Sequence, residues 1–583
     1  GFPKEYGGAG DVGASIAAFE TLAMGDLSLL VKSGVQFGLF GGAILHLGTK
    51  RHHDAYLPDV VSGRLLGCFA MTEHGHGSNV AELGTTATYD PATDEIVVTT
   101  STPDAYKDYI GNAAKHGELA VVFAQLVVEG EQHGVHAVLV PIRVGGAPAP
   151  GVRIEDDGPK MGLNGVDNGR LWFDGVRVPR DNLLNRFADI TDDGRYESSI
   201  ENPNRRFFTM LGTLVQGRVS VGGAGLTAAE SALTIATRYA DRRRQFGTPS
   251  EDGRESTEML LLDYGQHQRR LLPLIARTYA LHFAQEVLRE QLHEVFSAPP
   301  ETVETQSRRE LESRAAGTKA LATWHATRTI QECREACGGA GYLAANRFAA
   351  LKADTDVFTT FEGDNTVLLQ LVAKGLLTDY ASEFEDLDQF GMVRFVAGLA
   401  VDTVLEKTAA HKLLERVRDL VPDLSGGGGD GEQVGLRDPE YHLAMLRYRE
   451  EHMLGAVARR LKRGVDDGGD PAAVFSAVQD HVIGAARAHV ERLVLEAFVA
   501  KVEALPQGEA RELLAQVCAL HALSEIERDR AWFLEHSRLS VARSKAITRE
   551  VGVLCRELRG SAVALVDAFG VPAELLRAGD LIG

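Results

Sequence analysis

The chain has 583 residues, too many for one hydrophobic core, so three or four domains or subdomains are expected. Hydrophobic residues make up 44% and charged residues 24%, the ordinary balance of a globular protein. A formal net charge of -20 argues against nucleic acid or an anionic membrane as the main partner, while leaving room for a phosphate-bearing ligand in a local basic patch.

Taken in chain order, residues from about 12 to 65 carry apolar side chains at helical spacing, in ASIAAFETLAM and HHDAYLPDVVSG. From about 67 to 185 the texture changes to short runs rich in Val, Thr and aromatics: LLGCFAM, TTATYD, EIVVTT, LAVVFAQLVV, GVHAVLVPI and RLWFDGVRV. Gly, Pro and Asp part these runs, which predicts the strands of a small antiparallel barrel or sandwich. Residues 205 to 380 return to helical periodicity in three long stretches with short links, hence a bundle, with GGAG at 223 as a close helix-packing site. The helical pattern continues from 384 to 421, LSGGGGDGEQVG at 424–435 has the composition of a flexible linker, and 438 to 583 is helical again. The expected division is a helical domain over 1–66, a β domain over 67–187, a helical bundle over 188–383 and a C-terminal helical domain over 384–583.

Other features narrow the class. The five cysteines are sparse and unpatterned, which suggests a reducing compartment and no disulfide framework. No apolar run reaches the roughly 18–20 residues of a membrane span. The opening GFPKEYGGAG has no signal-peptide features and reads like the interior of a domain, so further residues are expected upstream.

Four segments could carry chemistry. In GCFAMTEHGHGSNV, residues 67–80, a strand runs into a loop holding Thr72, Gly77 and Ser78. Such glycines let a backbone approach a ligand, and the hydroxyls beside them can cradle a flat polar ring or a phosphate. A glycine-rich β-turn is the competing reading. His74 and His76 stand two apart with no further clustered ligands, which is no metal site. In YADRRRQFG, residues 239–247, Arg242, Arg243 and Arg244 end a helix. They are either a solvated cap complementing the helix dipole or a fork for pyrophosphate. In CREACGGAGY, residues 333–342, Gly338 and Gly339 suit either a helix C-cap or the close passage of a dinucleotide. In TDVFTTFEGDNTVLLQ, Glu362 lies among Val357, Phe358 and Phe361, just before a helix that Asp364 or Asn365 can cap. Desolvation raises the pKa of such a carboxylate and the helix N-terminus lowers it, the tuning that a general base needs. A surface carboxylate facing the helix dipole is the alternative. No Rossmann, P-loop or nucleophile-elbow pattern is present.

In this order the four segments resemble the acyl-CoA oxidase and acyl-CoA dehydrogenase superfamily, the oxidases most closely. TTATYDP, VHAVLVPIR, DNGRLWFDGVRVPRDNLL and LLDYGQHQ extend the resemblance over nearly the whole chain, and LRYREEHMLGAVARRL resembles the additional C-terminal helical domain of the oxidases. One departure is His74, where Leu or Met is usual. The resemblance implies a mostly α fold with a central β-barrel domain, an FAD cofactor, and a homodimer or homotetramer with flavin at subunit interfaces. It implies that Thr72, Gly77 and Ser78 lie at the flavin and that Gly111, in KDYIGNAAKHG, is a flavin-binding glycine. Arg243 reaches the flavin pyrophosphate of a neighbouring subunit, with Phe246 beside it. The resemblance likewise implies that Gly338 and Gly339 turn at the adenosine-diphosphate half, that Asp364 and Asn365 are further cofactor-binding residues, and that Glu362 is the catalytic base. The expected protein is an FAD-dependent acyl-CoA oxidase of fatty-acid β-oxidation, converting an acyl-CoA to a trans-2-enoyl-CoA and passing electrons to oxygen. A dehydrogenase using an electron-transfer flavoprotein is the second reading, and a non-catalytic scaffold of the same fold the third. The C-terminal AGDLIG lacks an SKL-type signal, and the Ala-, Gly-, Val- and Arg-rich composition leads to the expectation of a bacterial cytoplasmic protein.

Overall fold

The computed structural model describes residues 1–212, 215–247, 258–298, 302–378 and 435–582. The helical stretch expected over 384–421 and the linker over 424–434 lie outside the described residues. The chain forms two compact units, the first of residues 1–221, 289–312 and 360–364 and the second of 222–288, 313–359 and 365–583.

The first unit opens with helices α1 (Val12–Gly25), α2 (Leu27–Ser33), α3 (Gly41–Leu47) and α4 (Lys50–Ser62). Asp11 and Asp26 cap α1 and α2 by accepting the N–H of Ala14 and of Leu29. The strand region then builds a six-stranded sheet, in which β1 (Gly67–Ala70), β5 (Leu119–Val128), β2 (Thr85–Asp90), β3 (Glu95–Thr100) and β11 (Val176–Pro179) follow one another and β6 (Glu131–Pro141) also pairs with β5. A second sheet has the order β4 (Lys107–Ile110), β10 (Gly169–Phe173), β9 (Val152–Asp156).

The wholly antiparallel pairing expected from the sequence is corrected here. Both β1 and β2 run parallel to β5, with Gly67 opposite Leu119 and Thr86 opposite Gln125. The reason lies in β5 itself. Its Ala120, Val122 and Ala124 enter the core between the sheets, with Val98, Val138, Leu171 and Phe173. Its Leu119, Val121 and Phe123 enter a second core with Phe40, Ile44, Leu57 and Val60 of the helices. A strand covered on both faces is the setting in which parallel pairing is stable. Gly67 lacks a side chain because Phe40 occupies that space.

In the second unit, α6 (Gln216–Ala240) packs on α8 (Thr305–Ala336) through glycines. A Cβ at Gly222 would lie 3.4 Å from Lys319 Cα, and one at Gly225 3.6 Å from Ala326, so close helix packing accounts for this run. The C-terminal helices include α11 (Pro439–Asp466), α12 (Pro471–Ala477), α13 (Gln479–Ala504) and α14 (Glu509–Arg528). They are tied to α7 (Gly265–Ser297): Arg269 donates to both Glu527 carboxylate oxygens at 2.9 and 2.7 Å, and Tyr279 Oη donates to Leu565 O at 2.6 Å. All five cysteines are buried free thiols. Among the described residues the helical stretches Leu27–Leu47 and Gln216–Ala240 are long and apolar enough to match a membrane span; half of the first window and all of the second are buried inside the protein.

Candidate active site

The loop after β1 is clamped from below. Lys107 Nζ, fully buried, donates to Met71 O at 3.1 Å, Phe123 O at 2.7 Å and Glu73 Oε1 at 2.9 Å. Glu73 also accepts the N–H of Gly84 and of Thr85 at 2.7 and 2.9 Å and the Thr85 hydroxyl at 2.6 Å. Between these two anchors Thr72 O accepts the Asp108 N–H at 3.1 Å. Thr72 is partly buried, while Gly77 and Ser78 are exposed, and a Cβ at Gly77 would meet nothing within 4 Å. Gly111 is buried against helix α2's continuation, where a Cβ would lie 2.7 Å from Val35 Cγ2, so internal packing alone accounts for that glycine. Its neighbours Tyr109 and Asn112 adopt left-handed backbone, φ 64° and 67°. Asn112 is held there by donating to Gly67 O at 2.9 Å and accepting from Lys32 at 2.7 Å. The sequence reading missed Glu73, Lys107, Lys32 and Asn112, which look like surface residues in a linear stretch.

Glu362 belongs to the same unit. Its backbone is left-handed, φ 58°, and Gly363 follows at φ 100°. A non-glycine residue held in this region costs of order 1–3 kcal/mol and persists where its surroundings fix it. The carboxylate lies over Gly217, where a Cβ would come within 2.5 Å of Glu362 Oε2. Arg218 follows directly. Burial pulls its guanidinium below the usual range, and Glu362, then Glu312, counteract this. The helix α10 (Asn365–Thr378) begins three residues after Glu362, with Asp364 just before it. Asn365 belongs to the second unit and is buried there. Its Oδ1 accepts from Lys319 Nζ at 3.0 Å and its Nδ2 donates to Thr323 Oγ1 at 2.9 Å and Ala320 O at 3.2 Å, so the side chain is occupied internally.

The remaining residues singled out in the sequence also lie in the second unit. Arg243 is exposed, and no ion pair engages it among the described residues. Phe246 is 77% exposed with φ 51°. Gly338 ends α8 in left-handed backbone, φ 58°, as the C-cap reading requires, and neither Gly338 nor Gly339 has any atom within 4 Å of a Cβ position. The glycine with a steric need is Gly341, whose Cβ would collide with Arg334 O. Among the described residues no cluster of His, Cys, Asp or Glu could hold a metal ion.

Helical, β and helical regions in this order, with a glutamate beside an arginine just before a helix, define an acyl-CoA dehydrogenase-type scaffold. Residues 1–64 match the acyl-CoA dehydrogenase N-terminal domain, 68–176 its middle domain, 211–377 the acyl-CoA oxidase C-alpha1 domain and 438–579 the acyl-CoA oxidase domain. Acyl-coenzyme A oxidase 2, peroxisomal, of Arabidopsis thaliana is 40% identical over 96% of this chain and 79% of its own length. The crystal structure of acyl-CoA oxidase 1 from Yarrowia lipolytica superposes with a TM-score of 0.83 at 30% identity, covering 98% of this chain and 80% of that one. Acyl-CoA oxidase-1 of Caenorhabditis elegans, complexed with FAD and ATP, gives 0.78 at 26% identity over 94% and 77%. The chain belongs to the acyl-CoA oxidase family.

These relatives overturn the expectation of a bacterial cytoplasmic protein. The matched plant relative is named peroxisomal, as is a human one, and others come from mouse and yeast. Bulk composition follows codon and surface preferences and carries no compartment signal, which is read from short address motifs.

Proposed function

We propose that the chain is an FAD-dependent acyl-CoA oxidase in which Glu362 takes the α-proton of an acyl-CoA thioester. The observation that carries this reading is the seat of Glu362: a left-handed backbone and a bare Gly217 hold its carboxylate in one place beside Arg218. A carboxylate so fixed can contribute about 10²–10⁴-fold as a general base. The enolate-like oxygen that develops calls for positioned donors, and the backbone amide of Glu362 is one such group in the family that the chain resembles.

The residues present fit a flavin nucleotide. Gly77, Gly338 and Gly339 leave open space where side chains would otherwise stand, and Arg243 and Phe246 offer an exposed cation and an exposed aromatic. Thr72 and Ser78 would hold the ring end of FAD, Gly338 and Gly339 the adenosine-diphosphate half, and Arg243 the pyrophosphate of a neighbouring subunit, in a homodimer or homotetramer. When bound, FAD supplies the acceptor for the hydride from the β-carbon and the route of the electrons to oxygen, giving a trans-2-enoyl-CoA and hydrogen peroxide.

Glu362→Gln is expected to keep its flavin absorbance and lose peroxide formation by at least about 10²-fold. A variant that turns over normally would place the base elsewhere. Dye reduction without peroxide in air would instead make the protein a dehydrogenase.

A further inference from the structure

Val215 N–H donates at 3.4 Å to the carbonyl of Gly212, the last residue of α5 (Pro203–Gly212), and Arg218 N–H donates to Val215 O at 3.1 Å. Gly212 ends α5, Gly217 and Arg218 stand in the first turn of α6, and each glycine carries a carboxylate on top of it. A Cβ at Gly212 would collide with Glu312 Oε1, as one at Gly217 would press on both Glu362 oxygens, at 2.5 and 3.0 Å. Glu312 and Glu362 come from segments about fifty residues apart in sequence and cover the end of α5 and the start of α6. Arg218 follows Gly217 directly in α6, and its cation acts on both carboxylates.

We infer that Glu312 is a second acid of the Glu362 site: the two carboxylates share the Arg218 cation, so the charge on Glu312 tunes the readiness of Glu362 to accept a proton. The inference rests on the reading of Glu362 as the base. Glu312 acts through Arg218 and is a positioning residue.

Burial pushes the Glu312 carboxyl above its usual range, and Arg218, then Arg309 and Arg308 of its own helix, pull it back. Arg308 in turn acts on Arg186 across the same unit. Arg218 is held between burial, which lowers its pKa, and the Glu362 and Glu312 charges, which raise it. In a poorly solvated site such neighbours interact far more strongly than in water. Removing the Glu312 anion leaves Arg218 wholly to Glu362 and makes Glu362 easier to ionise. Removing the Arg218 cation does the reverse. A purely structural role for Glu312, pinning the start of α8 to the end of α5, would change stability and leave the protonation of Glu362 where it was.

The test is the pH dependence of anaerobic flavin reduction in the holoenzyme, driven by whichever straight-chain acyl-CoA reduces the wild-type flavin fastest. Glu312→Gln is expected to move the acidic limb down by about one pH unit, and Arg218→Met to move it up by about one unit or more, with Arg218→Lys recovering part of the change. Infrared difference titration of the resting protein reads carboxyl protonation directly. There the band assigned to Glu362, by its loss in Glu362→Gln, should move in the same directions. An unmoved limb in Glu312→Gln, or a shift of both variants in one direction, overturns the inference. Should Arg218→Met fail to retain flavin, the isosteric Glu312→Gln carries the test by itself. Normal flavin reduction in Glu362→Gln would refute the base assignment. An inert Glu362→Gln together with an unmoved limb in Glu312→Gln refutes the role of Glu312 alone.

Discussion

Glu73 and Lys107 are one acid and one base sealed inside the β domain, whereas the helices after residue 438 enclose a pool of arginines and carboxylates around Glu491. In the pair, each ion has one permanently charged partner, and the remaining polar contacts are backbone groups, the Thr85 hydroxyl and the His76 ring 3.6 Å from Glu73. Burial pulls Lys107 down to about 8 despite the Glu73 carboxylate. In the pool, Glu491 accepts from Arg449 at 2.7 Å, Arg528 at 2.8 Å and Arg487 at 2.9 Å. Arg528 also pairs with Glu525 at 2.6 Å, as does Arg277, and Asp529 takes the other side of Arg449. Burial would push the Glu491 carboxyl up, but Arg449, Arg528 and Arg487 hold it far below the usual range. Both arrangements take charge out of water. They differ in what remains when one member is lost.

Lys107→Met breaks the comparison at its most sensitive point. It strands Glu73 in the core with no lysine or arginine beside it, and loss of one partner of a buried pair costs about 3–5 kcal/mol. Chemical denaturation of the variant should show that loss, and flavin content should fall with it because Met71 and Glu73 flank Thr72. Adding Glu73→Leu should recover only part of the stability, since the N–H groups of Gly84 and Thr85 then lose their acceptor.

The pool carries a pH dependence of its own through His521. This imidazole is buried beside Arg277, Arg528, Glu491 and Glu525, and neither ring nitrogen has a hydrogen-bond partner among the described residues. Burial first, with Arg277 and Arg528 adding to it, lowers its pKa from 6.5 to about 4. In the unfolded chain the ring gains its proton near pH 6.5, so the folded state binds fewer protons in between. Stability is then lost as pH falls from about 6.5 towards 4, by up to about 3 kcal/mol for this one group. His521→Leu should flatten that part of the stability–pH curve by close to one proton. An unchanged slope would mean that the ring is protonated in the fold.

Arg449→Met should cost less than Lys107→Met, about 2 kcal/mol, although Arg449 is only 1% exposed. Glu491 keeps Arg528 and Arg487, and Asp529 keeps Arg528 at 3.2 Å, so no carboxylate is left alone. Equal losses in the two variants, measured by the same denaturant, would remove the distinction between a pair and a pool.

The sequence makes some of this legible and hides the rest for identifiable reasons. Periodicity separates helical from strand regions because burial of one face repeats along the chain, as in the helix packing through Gly222 and Gly225. The parallel pairing of β1 and β2 with β5 is set by partners far away in sequence, and nothing in LAVVFAQLVV names them. Lys107 in KDYIGN and Glu312 in RRELESR sit in charged stretches that read as solvated surface, yet one is fully buried and the other covers Gly212 at the end of α5. Asn365 reads as a helix cap next to the site, and its amide is engaged by Lys319 and Thr323 of α8. Glu362 itself is visible only as a carboxylate before a helix. Its left-handed backbone and its seat on Gly217 depend on contacts that no local pattern encodes.

Glycines sharpen the contrast at the smallest energetic scale. Gly111 and Gly77 stand in segments anchored by the same Glu73–Lys107 pair, and the resemblance assigns both to flavin. A Cβ at Gly111 would press on Val35 at 2.7 Å, so Gly111→Ala is expected to destabilise the protein whether or not flavin is bound. Gly77 has no left-handed backbone and no atom within 4 Å of a Cβ position, so nothing inside the chain requires glycine there. Gly77→Ala should therefore change the stability of the flavin-free protein by less than about 1 kcal/mol, and in the stabilising direction if at all, because alanine restricts the unfolded chain. Its effect belongs to the ligand. A methyl group placed where the flavin approaches should weaken flavin retention, read by equilibrium dialysis of the released cofactor. Unchanged retention would leave the loop with the simpler reading of a glycine-rich turn, and would transfer the contact to the hydroxyls of Thr72 and Ser78.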